Sequence, residues 1–491
     1  MPAPGLVTLV GAGPGDPALL TRGGAEALGR AEVVVYDHLV HPRLLDLAPG
    51  ASLIFAGKQA GRCALPQDQI NALLIEHARA GRRVVRLKGG DPYVFGRGAE
   101  EAEALYAADV PFRVIPGVTA AVGASAYAGL AITHRDAASA VAFVTGHGDS
   151  ATDGRVDWRA LAAFPGTIVV YMGTARLAAI CATLQAHGLD GATPSALVCR
   201  GTMPSQRVVQ GTLAELAGLV AEAGVGAPGL LVVGRVVGRR GPLSWFERLP
   251  LFGRRVVLTR PDGDEAARSI EELGGEALLA PMVQIRPAED QGPMDRAIGS
   301  ISSNGWLVFT SPNGVRHFLS RLLELGHDLR SLGGVKLAAI GPSTAEALAA
   351  YHLRADLVPS TYRSESLAEV LAPLVVGKKV LLARADRGSS TLPDALGKVA
   401  EVQQVVVYRN VDAEAIPEAV ARRLAEGSVD WVTLTSPAIA SRFLDLMPVS
   451  SPPPRFACLS EAIAGVVRAR GFDVQAVAVE ATWAGLLACL K

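Results

Sequence analysis

Val7-Thr8-Leu9-Val10-Gly11-Ala12-Gly13-Pro14-Gly15-Asp16-Pro17 is a β-branched run that opens directly onto a glycine–proline loop. Leu87-Lys88-Gly89-Gly90-Asp91-Pro92 repeats the device later in the same half of the chain. Glycine lets backbone approach a ligand closely, and proline stiffens a loop without offering a donor. Working outward, Val33-Val34-Val35-Tyr36, Val84-Val85-Arg86-Leu87, Ala142-Phe143-Val144-Thr145, Ile168-Val169-Val170-Tyr171 and Leu230-Leu231-Val232-Val233 read as strands. Residues 99–108 and 213–223 read as helices from their Ala, Leu and Glu content. Short strands alternating with helices predict an α/β fold with a substantially parallel sheet.

The 491 residues predict two to four domains, with 49% hydrophobic and 19% charged residues as in packed globular chains. Lys+Arg and Asp+Glu both total 47, which gives no support for a nucleic-acid or membrane-surface partner. The N-terminus lacks a signal-peptide pattern and no apolar run is long enough to span a bilayer, so a cytoplasmic protein is expected. Cys63, Cys181, Cys199, Cys458 and Cys489 are scattered without a CxxC pair and read as reduced thiols. His134-Arg135-Asp136 lacks the companions of a kinase loop, and His38 with His41 lacks the HExxH pattern, so no metal site is expected.

Periodicity breaks across Arg239-Arg240-Gly241-Pro242-Leu243-Ser244-Trp245, and a linker is expected at residues 241–253. The domains flanking it are then residues 1–240 and 254–491. The second carries a repeat: Trp306-Leu307-Val308-Phe309-Thr310-Ser311-Pro312 resembles Trp431-Val432-Thr433-Leu434-Thr435-Ser436-Pro437. Arg316 and Phe318 follow one copy, Arg442 and Phe443 the other. Two similar α/β lobes with a cleft between them explain this better than a solenoid, which needs more copies.

The Gly11–Asp16 loop fails as a dinucleotide fingerprint, because GxGxxG needs glycine where Asp16 stands and Pro14 occupies the helix start. Taken alone, such a loop is either a strand-ending turn or a binding loop. Taken in series it is more specific. VGAGPGDP, Tyr36-Asp37, RLKGGDPYVFGRG from Arg86 to Gly98, Val114-Ile115-Pro116-Gly117-Val118-Thr119-Ala120 and Tyr171-Met172-Gly173 occur in order. This series resembles the uroporphyrinogen-III C-methyltransferases, within the tetrapyrrole methylases that use S-adenosylmethionine.

The resemblance covers about the first 240 residues and implies a two-lobed tetrapyrrole methylase fold, a homodimer through this half, and S-adenosyl-L-methionine as cofactor. It implies cofactor contacts at Pro14, Gly89, Gly90, Asp91, Val94, Thr119, Ala120, Met172 and Gly201. It further implies Asp37 as proton acceptor and Lys58 as proton donor. As bare residues these are equally a strand-end cap and a solvated loop lysine. Arg97 and Arg135 are candidates for binding substrate carboxylates, or structural ion pairs.

After the linker, Arg254-Arg255-Val256-Val257-Leu258-Thr259-Arg260, Phe309-Thr310-Ser311-Pro312-Asn313-Gly314 and Ala339-Ile340-Gly341-Pro342-Ser343-Thr344 together resemble uroporphyrinogen-III synthase. That resemblance implies a bilobal α/β fold that closes hydroxymethylbilane with inversion of its last ring. Tyr408 matches the family's candidate proton donor to the departing hydroxyl. Ser311, Asn313, Ser343, Thr344, Arg384 and Ser436 are candidate substrate contacts. One loop departs: Cys458-Leu459-Ser460-Glu461-Ala462-Ile463-Ala464 stands where the family often has Ile-Gly-Pro-x-Thr-Ala. A glutamate there would repel a polycarboxylate.

The expected function is bifunctional: synthesis of uroporphyrinogen III and its double methylation to precorrin-2. The alternatives are a C-terminal tetrapyrrole-binding or regulatory module without synthase chemistry, and a methyltransferase acting on a later corrin intermediate. No NAD-dependent dehydrogenase/chelatase segment is evident, so the chain is expected to stop before sirohaem.

Overall fold

Strand β1 (Val7–Gly11) is buried along its whole length, and its neighbour β4 (Val84–Lys88) equally so, as parallel sheets covered on both faces require. A computed structural model describes residues 5–57, 65–146, 156–261 and 263–491. The first sheet joins these strands with β2 (Val33–Tyr36), β3 (Ser52–Phe55) and β5 (Phe112–Ile115). Its order is β3-β2-β4-β1-β5, with all pairings parallel. One face packs Leu9, Val35, Leu74 and Leu105, and the other packs Val10, Leu28, Val34 and Leu87.

The second sheet holds β6 (Val141–Thr145), β7 (Thr167–Tyr171), β8 (Pro194–Cys199), β9 (Arg207–Thr212) and β10 (Gly229–Val233), in the order β6-β7-β10-β8-β9. Here the parallel expectation is corrected. Only β6 and β7 run parallel, while β10 pairs antiparallel to both β7 and β8, and β8 to β9. The short connection from β8 to β9 can only form a hairpin, which fixes the antiparallel sense. The helix expected at 213–223 is Leu216–Glu222, its start delayed because Glu215 accepts from both the hydroxyl (2.7 Å) and the amide (3.3 Å) of Thr212.

Two further five-stranded sheets follow. One contains β11 (Arg255–Leu258), β12 (Glu276–Leu279), β18 (Trp431–Leu434), β19 (Arg455–Cys458) and β20 (Ala476–Val477), ordered β12-β11-β18-β19-β20. The other contains β13 (Val283–Pro287), β14 (Trp306–Phe309), β15 (Lys336–Ala339), β16 (Lys379–Ala385) and β17 (Glu401–Asp412), ordered β13-β17-β16-β14-β15. The sequence repeat occupies equivalent places. β14 and β18 each feed a helix (Pro312–Glu324 and Pro437–Leu446) capped by a serine, Ser311 or Ser436, and each buries its phenylalanine, Phe318 or Phe443, completely.

The chain divides into two compact units, Met1–Val256 with Arg268–Ala277 and Lys491, and Val257–Ala267 with Leu278–Leu490. The residues expected as a linker form a short helix (Arg240–Leu243) and a 3-10 turn (Phe246–Arg248), with Phe246 and Leu251 buried. No helix among the described residues is long and apolar enough to cross a membrane.

Candidate active sites

Three glycine loops of the first unit converge beyond the carboxyl ends of β1, β4 and β5. Gly13 and Gly90 exchange backbone hydrogen bonds, at 3.2 Å from Gly13 N and 2.7 Å from Gly90 N. A Cβ on Gly117 would lie 2.2 Å from the Gly90 carbonyl oxygen, so no side chain fits there. Asp91 ties the loops together, its carboxylate accepting from Tyr93 N (2.8 Å) and Gly117 N (2.9 Å). Pro14 rests against the next helix (Ala120–Tyr127), 2.6 Å from where a Cβ on Gly123 would stand, and Gly201 packs as tightly on Ala124 of that helix.

Tyr171, at the end of β7, extends this wall. Its hydroxyl accepts from Ala121 N (2.9 Å) and shares a 2.6 Å hydrogen bond with Thr119 Oγ1, and its ring meets Phe95 at 4.9 Å. Burial raises its phenol above the ordinary tyrosine range, so it stays neutral near pH 7. Met172 follows in the left-handed region (φ 55°), about half exposed, and Val94 and Ala120 are half-buried. Backbone amides and carbonyls, a carboxylate and an apolar wall suit a ligand that combines a sugar, a zwitterionic head and a flat base.

Asp37 stands at the end of β2, beside the Gly89 loop, and a buried charge cluster holds it. Arg86 Nη2 donates to Asp37 Oδ1 at 2.6 Å, while Arg86 Nε and Lys88 Nζ both donate to Glu101 Oε1 at 2.9 Å. Arg86, Lys88 and Glu101 are buried, and Asp37 alone reaches solvent, at 31%. Two cations meet two carboxylates, so the formal charges cancel inside the protein, as burial requires. Glu101 Oε1 also accepts from Gln67 Nε2 (3.2 Å), whereas Oε2 has no hydrogen-bond partner. Burial, followed by the neighbouring Arg86 charge, pulls the Lys88 ammonium below the usual lysine range.

Of the remaining candidates of this unit, Arg97 and Arg135 make no hydrogen bond to the cluster among the described residues. Arg97 is exposed and forks onto Glu100 at 2.9 and 2.7 Å, and Arg135 is exposed. Lys58 lies outside the described residues. Tyr171, Arg86, Lys88 and Glu101 were missed as site residues, although two charges inside the apolar run of β4 signalled a buried partner.

In the second unit, Tyr408 of β17 is buried and its hydroxyl lies 2.9 Å from Ser311 Oγ. Ser311 also caps its helix by accepting from Gly314 N (3.0 Å). His317, one turn into that helix, stacks on the Tyr408 ring at 5.6 Å and 21°. Burial first, then Arg316, lowers the His317 pKa below 6.5. Tyr408 pairs with Ala385, and the Ser311, Gly341 and Ala385 loops all leave parallel strands at one sheet edge. That edge is where open α/β sheets bind ligands.

Among the other candidates, Asn313 accepts from Arg316 (3.0 Å), Arg384 donates to Gln404 (3.0 Å) and Ser436 caps its helix through Ile439 N (3.2 Å). Ser343 is exposed, whereas Thr344 is buried within the same helix turn. Glu461 is exposed and ion-pairs with Arg468. Sequence reading also missed a cavity of about 580 Å³ lined by Gln284, Arg286, Arg409 and Asp412. Arg409 pairs there with Glu289 and keeps a buried Nε without a hydrogen-bond partner.

Two family models match the chain: Tetrapyrrole (Corrin/Porphyrin) Methylases over residues 6–217, and Uroporphyrinogen-III synthase HemD over residues 264–488. The "Porphyrin biosynthesis protein HemD" of Ruminiclostridium josui is 35% identical over 448 residues, 90% of this chain and 89% of that protein. "Siroheme synthase 2" of Aeromonas hydrophila subsp. hydrophila is 52% identical over 244 residues, 49% of this chain and 51% of its own length. The chain thus spans about half the length of that relative. The native uroporphyrin III C-methyl transferase structure from Thermus thermophilus is 42% identical, covering 48% of this chain and 93% of its own, with TM-score 0.41. A uroporphyrinogen III synthase structure, also from Thermus thermophilus, is 20% identical over 48% of this chain and 96% of its own, with TM-score 0.35.

Both halves therefore define a tetrapyrrole-biosynthetic α/β protein of two enzyme families in tandem. The chain belongs to the porphyrin biosynthesis family in which a uroporphyrinogen-III C-methyltransferase is fused to a uroporphyrinogen-III synthase.

Proposed function

We propose that residues 254–491 cyclise hydroxymethylbilane to uroporphyrinogen III and that residues 1–240 methylate this product twice to precorrin-2. The observation that carries the first-unit reading is Asp37, held by Arg86 beside the converging glycine loops. The match to the tetrapyrrole methylases supports S-adenosyl-L-methionine as the methyl donor. Pro14, Gly89, Gly90, Asp91, Val94, Thr119, Ala120, Met172 and Gly201 would hold it, with Tyr171 joining them. That cofactor supplies an electrophilic methyl carbon.

The chain's own residues then have two tasks. The glycine loops fix where a nucleophilic pyrrole carbon must approach, and alignment of this kind supplies much of a transfer rate. The carboxylate of Asp37 stabilises the cationic ring that attack leaves and takes up its proton. Lys58 is the proposed donor.

In the second unit, Tyr408 protonates the departing hydroxyl of the linear substrate, which leaves as water. Ser311 Oγ, at 2.9 Å, can donate to the phenolate that results. Arg286 and Arg409 join Ser311, Asn313, Ser343, Thr344, Arg384 and Ser436 as proposed contacts for the substrate carboxylates, since arginine forks match carboxylate geometry. The Arg468 ion pair supplies a counter-charge for Glu461, which weakens the case for a silent second half. Variants of the full chain test the reading. Asp37→Asn should accumulate unmethylated uroporphyrinogen III from hydroxymethylbilane, and Tyr408→Phe should still methylate supplied uroporphyrinogen III. Loss of both activities in either variant would refute the division of labour.

A further inference from the structure

Residues 240–248, which overlap the start of the stretch expected as a linker (241–253), pack against the helix Ala120–Tyr127 that follows the third glycine loop. Trp245 Nε1 donates to the Ala126 carbonyl (3.1 Å) and Arg240 Nε to that of Ala128 (2.7 Å). Both carbonyls lie at the carboxyl end of the helix Ala120–Tyr127, where Ala126 O also accepts from Gly129 N at 3.1 Å. Trp245 and Phe246 close on the Tyr127 ring at 5.0 and 4.8 Å.

From there a chain of hydrogen bonds runs to the first glycine loop. Glu247, ion-paired with Arg240, accepts from Gln206 Nε2 at 3.1 Å. Gln206 is fully buried, and its Oε1 accepts from Thr202 N at 3.0 Å. Thr202 Oγ1 accepts from Asp16 N at 3.0 Å, and Asp16 Oδ2 accepts from the Tyr127 hydroxyl at 2.7 Å. The circuit thereby returns to the helix that Trp245 holds.

This circuit passes through Asp16, which ends the Pro14-Gly15-Asp16 loop, and through Thr202, which follows Gly201 in a turn. The turn is strained: Arg200 (φ 49°) and Thr202 (φ 71°) both lie in the left-handed region. A β-branched residue is held there only where its surroundings over-determine it. The Thr202 hydroxyl also stands 2.8 Å from where a Cβ on Gly15 would be, so displacing the turn displaces the loop.

We propose that Gln206 and Glu247 are positioning residues of the methyl-donor site, and that residues 240–248 brace its Pro14 and Gly201 loops. The proposal rests on the cofactor reading given above. It is tested in the full-length chain with S-adenosylhomocysteine as probe, by calorimetric titration, alongside steady-state methylation. Glu247→Ala should weaken binding at least tenfold and raise KM for S-adenosylmethionine by the same factor, with kcat within twofold. Glu247→Gln keeps an acceptor for Gln206 and should stay within threefold of the parent.

If Glu247→Ala fails to fold, Tyr127→Phe keeps the ring stack and removes only the Asp16 bond; it should weaken binding three- to tenfold. Binding within twofold of the parent in folded Glu247→Ala, or in Tyr127→Phe, would overturn the brace while leaving the cofactor reading intact. A parent chain that does not bind the probe would overturn the cofactor reading itself.

Discussion

At the residue scale the first unit turns on one shared oxygen, Glu101 Oε1, which receives Arg86, Lys88 and Gln67 together. Removing its charge leaves Arg86 paired with Asp37 but the buried Lys88 cation uncompensated, and breaking a buried pair in this way costs about 3–5 kcal/mol. Glu101→Gln should therefore lower the stability of the first unit by that amount in chemical denaturation, and a change under about 1 kcal/mol would contradict the cluster's role. Asp37→Asn should reduce methylation by about 10²–10⁴-fold, the range for a lost general base, without weakening S-adenosylhomocysteine binding. His317 gives a pH signature. Its folded pKa lies below the unfolded value of 6.5, so the unfolded state binds more protons between the two. Stability of the second unit should fall as pH drops from 6.5 through the lowered pKa, and His317→Gln should flatten that limb of the unfolding midpoint against pH. The motif reading reached Asp37 and Asp91 because each sits in a local signature. It missed Glu101 and Tyr171 as site residues because their partners lie 13 to 52 residues away, and no short pattern records such a pairing.

Elements were legible where the pattern is local. Each quoted strand run of the first half ends on the observed last residue or one before it, because β-branched residues cluster there and turn residues follow. The antiparallel order of the second sheet was not legible, since pairing sense depends on which distant strand inserts between neighbours, and β10 enters last in sequence yet lies centrally. Gly, Pro and charge break periodicity in the stretch expected as a linker, residues 241–253, and its packing of Phe246 and Leu251 was not legible because neighbours distant in sequence decide it. Two substitutions probe the elements. Gly117→Ala would force a Cβ to 2.2 Å from a backbone oxygen and should abolish detectable S-adenosylhomocysteine binding, while tight binding would contradict the converging-loop site. Ser311→Ala removes a helix cap and the Tyr408 contact together. It should cost about 1 kcal/mol of stability, and lower synthase turnover further than Ser436→Ala, which removes a cap and a proposed substrate contact but leaves Tyr408 its hydroxyl partner.

Across the whole molecule, separate chemistry is proposed for the two units of one chain, and the product proposed for the second is the substrate proposed for the first. The fusion was legible because motifs of two families stand in order along the sequence, and the relative matched over 90% of the chain carries the same span. Chemical competence of both halves is the central claim, and one experiment reaches it most directly. The intact protein is given hydroxymethylbilane and S-adenosylmethionine, and the products are separated by isomer and weighed by mass spectrometry. A doubly methylated tetrapyrrole of the type III series is the result expected here. Methylated product formed only when uroporphyrinogen III is supplied would contradict the synthase assignment, and no methylated product from either substrate would contradict the methyltransferase assignment.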